Sequence, residues 1–350
     1  MKRVAVVILN WNGEKFLKQF MPFITQYSEE VADVYVVDNA SKDHSVNFLK
    51  SNFPSVRIVQ LQQNFGFAGG YNHGLKEIPH EYFVLLNSDV EVTSNWIEPV
   101  IRYMESVPDM VACQPKILDF HRKEWFEYAG AAGGFIDKDA YAFCAGRIFY
   151  EFEKDEGQFS QNEEVFWASG AALFIKKSAW HEVGGLDVDF FAHMEEIDLC
   201  WRLKNRGYRI GACRESVVYH YGGGTLDRLS PFKTYLNFRN NLYMIVKNYR
   251  SGNLAIKLFR RMLLDGIAAI RFIAEGRFRY FTSVLKAHYS FYVHLPLLKR
   301  KRHAEEAAMK NPNLVGLYQG SIIKHFFVFK KHHIQALNPA LFLREIKKGV

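Results

Sequence analysis

The sequence predicts an α/β fold, a mostly parallel sheet flanked by helices, with a basic helical region at its C-terminal end. Three observations carry this reading. In the first ninety residues, short apolar runs alternate with helix-spaced segments, the order expected of β-α units. Clusters of polar residues follow these runs at 10–12, 38–41, 64–70 and 87–89. Charge also divides along the chain: residues 1–230 carry 23 Lys and Arg against 32 Asp and Glu, net −9, whereas residues 231–350 carry 22 against 5, net +17.

Residues 4–9 form a continuous apolar run, the mark of a strand buried on both faces. A turn at 10–13 leads to residues 14–27, where Phe16, Leu17 and Phe20 have helical spacing. Residues 34–37 predict a second strand and 45–53 a helix; 56–61 predict a third strand, 71–76 a short helix, and 82–86 a fourth strand. In such sheets ligands bind beyond the carboxyl ends of the strands, where all four polar clusters fall. Residues 119–165 are polar, glycine-dotted and irregular, and are expected to form a flexible insert. Beyond them the pattern predicts a strand over 166–175, a short helix over 178–183, a helix over 198–206 ended by Gly207, and strands over 208–212 and 217–219. From Leu236 to about residue 300 it changes to basic amphipathic helices.

Composition narrows the class. With 49% hydrophobic and 23% charged residues the chain is a folded globular protein, not a disordered one. Four scattered cysteines without a Cys-x-x-Cys pair are expected to be free thiols of a reducing compartment. The start, Met1-Lys2-Arg3 and an apolar run, is too short for a signal peptide and reads as a strand. No run reaches the ~18 apolar residues of a membrane span. No nucleic-acid reader motif is present, so nucleic acid is not an expected partner. The tail places Lys257, Arg260, Arg261, Arg271, Arg277, Arg279 and residues 299–302 among aromatics. That pattern suits an anionic membrane surface, or a solvated basic cap on the domain.

Several residues carry candidate chemistry. Asp38, at a strand end, can accept from a nucleobase or ribose, or cap a helix. Glycines at 66, 69, 70 and 74 let backbone approach a ligand, and a helix start after them could receive a diphosphate. Neither a Walker loop nor Gly-x-Gly-x-x-Gly is present. Asp89, after an apolar strand, can hold Mg²⁺ or Mn²⁺, which neutralises a leaving group, or can cap a turn. One acid is a poor metal site alone; His220, before a glycine run, could be the second ligand or a structural histidine. Glu195, Glu196 and Asp198 lie within four residues, boxed in by Phe190, Phe191, Met194 and Ile197. Burying three charged carboxylates is costly without a cation or a proton to move. They are either acids favoured at a helix start or the source of a general base.

Together these segments resemble the family 2 glycosyltransferases, in particular the bacterial rhamnosyltransferase-like branch. The resemblance rests on Val-Ile-Leu-Asn-Trp-Asn at 7–12, Val-Val-Asp-Asn-Ala-Ser at 36–41, Asn-Phe-Gly-Phe-Ala-Gly-Gly-Tyr-Asn at 64–72, Leu-Leu-Asn-Ser-Asp-Val at 85–90, Ala-Ser-Gly-Ala at 168–171, and the acid segment 190–202. It covers roughly the first 225 residues and implies a GT-A fold, a Rossmann-like nucleotide-binding half (about 1–115) joined to an acceptor half (about 116–230), with 231–350 as a tail. It implies inverting transfer of a sugar, possibly rhamnose, from a nucleoside-diphosphate sugar to a hydroxyl of a saccharide or lipid-linked saccharide. The family's Asp-x-Asp element maps to Asn87-Ser88-Asp89, so Asp89 is the expected metal ligand and Asn87 a weaker contact. Asn10, Trp11 and Asn12 map to the nucleoside pocket with Asp38, Asn64 and Gly69 to sugar or phosphate contacts, and His220 to the completion of the metal site. The family's base is usually the Asp of a Glu-Asp pair; that place is Glu196 here, with Glu195 and Asp198 as substitutes. The resemblance implies a peripheral enzyme on the cytoplasmic face of the inner membrane, acting in cell-surface polysaccharide or glycolipid synthesis. Two other readings stay open: a sugar-phosphate nucleotidyltransferase, and a non-catalytic nucleotide-sugar-binding protein.

Overall fold

The computed structural model describes residues 2–222 and 230–344. Gly223 and Gly224, in the glycine run after His220, and residues 345–350 of the tail lie outside the described residues.

The first half builds β1 (Val4–Asn10), α1 (Glu14–Ser28), β2 (Ala32–Asp38), α2 (Ser45–Asn52), β3 (Arg57–Gln60), α3 (Gly66–Gly74), β4 (Tyr82–Asn87), β5 (Val90–Val92), α4 (Glu98–Ser106) and β6 (Met110–Asp119). Short strands follow: β7 (Gly134–Asp137), β8 (Ala142–Cys144), β9 (Arg147–Ile148), β10 (Glu151–Phe152) and β11 (Glu163–Val165). Then come β12 (Ala172–Lys176), α5 (Lys177–Glu182), α6 (Glu195–Asn205) and β13 (Arg209–His220). The tail forms α7 (Pro231–Asn248), α8 (Leu254–Ala274), α9 (Phe278–Ala307) and β14 (Leu317–Tyr318).

The main sheet runs β11-β13-β6-β12-β4-β1-β2-β3, with β5 beside β13. β3, β2, β1, β4, β6 and β13 all point one way, while β12, β11 and β5 run against them. Successive side chains of a strand face opposite sides, and β1 shows the consequence. Val4, Val6 and Ile8 bury against Leu17, Phe20 and Ile24 of α1, whereas Ala5 and Val7 belong to the core on the other face, with Tyr71 of α3 and Leu199 of α6.

The structure corrects the sequence reading in four places. Helix α3 begins at Gly66, not near 71, and its glycines serve packing: a Cβ at Gly70 would lie 2.6 Å from Leu9, and one at Gly74 2.4 Å from Val37. The strand expected over 166–175 is confined to β12, which leaves 168–171 as a loop at the rim. The two late strands are one, β13, with a bulge between Cys213 and Val217. The 119–165 insert is ordered, and its short strands β7 to β10 form a second sheet, β10-β9-β8-β7-β14, whose last strand comes from the tail. All four cysteines are free and buried, and among the described residues no helix is long and apolar enough to cross a membrane.

Candidate active site

The carboxyl ends of β1, β2 and β4 lie side by side, since Asn10 pairs with Asp38 and Leu9 with Asn87. Asn10 Nδ2 donates to Asp38 Oδ1 at 3.0 Å and to Ser41 Oγ at 3.1 Å, while its buried Oδ1 has no partner. Gly13 is required here: a Cβ would sit 2.4 Å from that oxygen, and 3.8 Å from Ser88 Oγ. Trp11 stands half exposed at this edge. Asn12 adopts φ 52° and accepts from the Lys42 N–H at 2.7 Å, so its side chain is a turn anchor. Asn64 is likewise structural in part: its Oδ1 accepts from Asn39 Nδ2 at 2.9 Å and from the Gly66 N–H at 2.8 Å. Gly69, expected to face the ligand, sits inside α3, where a Cβ would meet Phe65 at 2.9 Å.

Strand pairing brings the second group together. β5 pairs with β13 so that Val90 faces His220, and β13 pairs with β6 so that His220 faces Asp119. Asp89 Oδ1 is 3.2 Å from His220 Nε2, and Asn87 Nδ2 is 3.5 Å from the same nitrogen. His220 Nδ1 is 3.1 Å from Glu127 Oε2. Glu127 is a buried carboxylate from the insert that the sequence reading missed; its signal was an acid flanked by Phe126 and Tyr128. Burial alone would lower the His220 pKa, but the charges of Glu127 and Asp89 outweigh it and hold it up to about 10. Burial would raise Asp89, yet the facing imidazolium keeps it below the ordinary carboxylate value.

With the His220 Nε2 proton displaced, these donors fit a divalent ion. Ligands in cis positions around Mg²⁺ at 2.0–2.1 Å are separated by about 3 Å, which is the spacing of Asp89 Oδ1 and His220 Nε2. Glu127 fixes the outer imidazole nitrogen, as carboxylates behind metal-bound histidines do. Among the described residues no three His, Cys, Asp or Glu side chains form a complete cage. A diphosphate and waters would therefore fill the remaining positions, the usual arrangement for Mg²⁺.

The acid segment is built differently. Phe191, His193 and Met194 have φ of 64°, 67° and 73°, in the left-handed region that disfavours side chains. Helix α7 holds them there: Asn240 Nδ2 reaches the carbonyls of Phe190, Ala192 and His193 at 2.9, 2.9 and 2.7 Å. Arg239 Nη2 donates to the Asp189 and Phe190 carbonyls at 2.9 Å. The turn delivers Glu195 and Glu196 to the start of α6, where each has a buried Oε2 without a partner. Burial pushes Glu195 well above the usual carboxylate range, with the Glu196 charge adding to it. Burial also raises Glu196, against the donated N–H groups of the helix start. His193 is lowered to about 4 by burial and by Lys233, and its Nε2 is also unpartnered.

Asp198, carried as a substitute base, is corrected by the structure. Its Oδ2 is 2.8 Å from both Arg202 Nε and Lys247 Nζ, and its Oδ1 accepts from Asn248 Nδ2 at 2.8 Å. A carboxylate so occupied anchors α6 to α7.

The two groups share one rim through loop 168–171. The Asn87 N–H donates to the Ala171 carbonyl at 3.0 Å, and the Cβ position of Gly170 is 3.6 Å from Glu196 Cβ. Gly66 similarly approaches Phe191. Asp38, Asp89 and Glu196 are thus linked through Asn10, Ser88, Ala171 and Gly170 in a chain of neighbouring contacts. The fold and the rim together define the class: an α/β sheet protein whose buried carboxylates and polar loops gather at the carboxyl ends of its parallel strands.

Comparison with known proteins agrees. The glycosyl transferase family 2 model matches residues 5–184, and the chain belongs to that family: it is a glycosyltransferase of GT-A fold. It is similar to the low-salt glycan biosynthesis hexosyltransferase Agl10 of Haloferax volcanii, 23% identical over 289 residues, 79% of this chain and 87% of that protein. It is similar also to the N-acetylglucosaminyl-diphospho-decaprenol L-rhamnosyltransferase of Mycobacterium tuberculosis, 22% identical over 283 residues, 77% of this chain and 91% of that protein. In structure it resembles GalNAc-T7 with UDP, GalNAc and Mn²⁺, with a TM-score of 0.51 and 15% identity over 74% of this chain and 54% of that one.

Proposed function

We propose that the chain transfers a sugar, rhamnose being the leading candidate, from a nucleoside-diphosphate sugar to a hydroxyl of a saccharide or lipid-linked saccharide, with inversion. The observation that carries this reading is Glu196, half-buried, with its enclosed Oε2 unpartnered and its pKa raised, set beside Gly170 on the rim that also holds Asp89. A carboxyl raised by its surroundings is a stronger base once ionised. Glu196 takes the acceptor proton as the acceptor oxygen bonds to the anomeric carbon and the bond to the diphosphate breaks. The carbon passes through oxocarbenium character and is attacked from the face opposite the leaving group, hence the inversion. Asp38 and Asn10 hold the nucleoside, with Trp11 at its edge. Asp89 and His220 would hold Mg²⁺ or Mn²⁺, which supplies neutralisation of the leaving diphosphate. The lipid-linked rhamnosyl relative and the basic tail support an acceptor presented at a membrane and a role in cell-surface glycan synthesis.

The deciding experiment is a nucleotide-sugar screen with Mg²⁺ or Mn²⁺ present. Release of free nucleoside diphosphate supports sugar transfer. Pyrophosphate release from a nucleotide and a sugar phosphate supports the nucleotidyltransferase instead, and tight donor binding without turnover supports a binding protein.

A further inference from the structure

Helix α8 is inside out. Its buried positions are Lys257, Arg261 and Asp265, with Ala269 completing the row. Ile256, Phe259, Leu263, Ile267 and Ile270 are its exposed positions, each more than half accessible. At about 100° per residue these five side chains fall within an arc of roughly 80°, and span roughly 21 Å along the axis. A helix on a water-soluble surface turns its polar face outward; this one does the reverse.

The inversion is built in by polar contacts beneath the helix. Arg261 Nε pairs with Asp265 at 2.8 Å, and its guanidinium stacks over Tyr141 at 3.8 Å. Lys257 donates to the Lys138 carbonyl. Asp265 also faces His288 of α9 at 3.3 Å. These bonds dock α8 on loop 138–141 and on α9, and they fix which side faces out. Helix α9 runs back beside it, with Tyr292 Oη 3.3 Å from Met262 Sδ, and adds exposed Leu285, Tyr289 and Val293.

The chemistry of the surroundings selects the occupant. Residues 254–302 hold eleven Lys and Arg against two acidic residues. Arg260 and Arg271, both exposed, lie on one shoulder of the apolar arc. A second copy of this face would bring like charges together, which costs several kcal/mol. An anionic bilayer instead accepts the apolar ridge among its acyl chains and the arginines at its phosphates, with tyrosines at the boundary.

We infer that the outward face of α8, with the adjoining face of α9, is a monotopic docking surface that lies in the plane of an anionic phospholipid bilayer. This rests on the membrane-surface part of the function proposed above and is independent of the transfer chemistry.

The test uses the full chain and vesicles of phosphatidylcholine alone or with about one third phosphatidylglycerol. The protein is expected to co-sediment with the anionic vesicles and far less with the neutral ones. Phe259→Glu and Ile267→Glu, at exposed positions, should each weaken binding at least ~10-fold, the effect of removing one large apolar anchor. Phe23→Glu on α1 should not change it. An environment-sensitive dye on Ile267→Cys, added to a chain whose own cysteines are buried, should shift to the blue with anionic vesicles. Unchanged binding by both Glu variants, absence of vesicle binding by the native chain, or a dimer in solution that Ile267→Glu dissolves would each overturn the inference. No donor sugar enters these assays, so their outcome is separate from that of the nucleotide-sugar screen.

Discussion

Two groups of acids, a few residues apart in sequence, have opposite fates. Asp187, Asp189 and Asp198 are all answered by cations: Lys247 lies 2.5 Å from Asp187 and 2.8 Å from Asp198, and Lys301 lies 2.6 Å from Asp187 and 2.5 Å from Asp189. Burial would raise Asp187, but the two lysines hold it well below the usual carboxylate range. Among the described residues Glu195 and Glu196 meet no such cation, and both are raised. The acid segment is therefore two devices. One ties the 187–189 turn, α6, α7 and α9 together; the other leaves two carboxylates with raised pKa at the start of α6. Sequence proximity does not separate them, but the company each keeps does.

The comparison can be broken first on its paired side. Lys247→Met leaves Asp198 and Asp187 short of a buried cation, and should cost about 3–5 kcal/mol of stability by chemical denaturation, as expected when one partner of a buried pair is removed. A loss near zero would mean the network is solvated. Glu196→Gln attacks the other side: turnover should fall at least ~100-fold with donor affinity unchanged and no loss of stability. In the native enzyme the acidic limb of kcat/KM should lie above the pH of an ordinary glutamate, because the base works only when ionised and its pKa is raised; a limb near pH 4.3 would remove that role. Asp89→Asn should weaken nucleoside-diphosphate binding by about tenfold or more with Mn²⁺ present and little in EDTA; equal losses would discredit the cation assignment. The smallest effect is Glu195→Gln. A buried carboxyl with a raised pKa loses stability as the pH rises from the pKa of the unfolded glutamate through its own. The amide should then stabilise the protein by on the order of 1 kcal/mol at pH 8, with the gain vanishing below the pKa of the unfolded glutamate. Calorimetry at both pH values checks it.

Much of this was legible beforehand. Strands β1, β2 and β4 are apolar runs ended by polar clusters, and backbone periodicity reports such elements directly. Asp38, Asp89 and His220 stand out from the same local patterns, whereas Glu196 is separated from Glu195 and Asp198 only by the family resemblance. What escaped was whatever depends on distant partners. Glu127 sits in a segment without periodicity and reaches His220 only because β6 and β13 are neighbours. Asn240 and Arg239 fall in the basic helical region and are not singled out, since nothing in their own neighbourhood shows that the carbonyls of 189–193 lie within reach. The glycines of α3 were misjudged for the same reason: what they touch is Leu9 and Val37, strands already passed.

The three carbonyls gathered by Asn240 have a practical consequence. The stretch that matches the family ends at residue 184, before the 190–196 turn begins, and the side chains that shape that turn arrive only after residue 238. A fragment cut at 230 would retain the carboxyl ends of β1, β2 and β4 and still lack the brace on the turn that carries Glu196, the base proposed above. The smallest piece that keeps this turn and α6 braced is thus set by a helix outside the matched stretch, and it extends at least through Asn248.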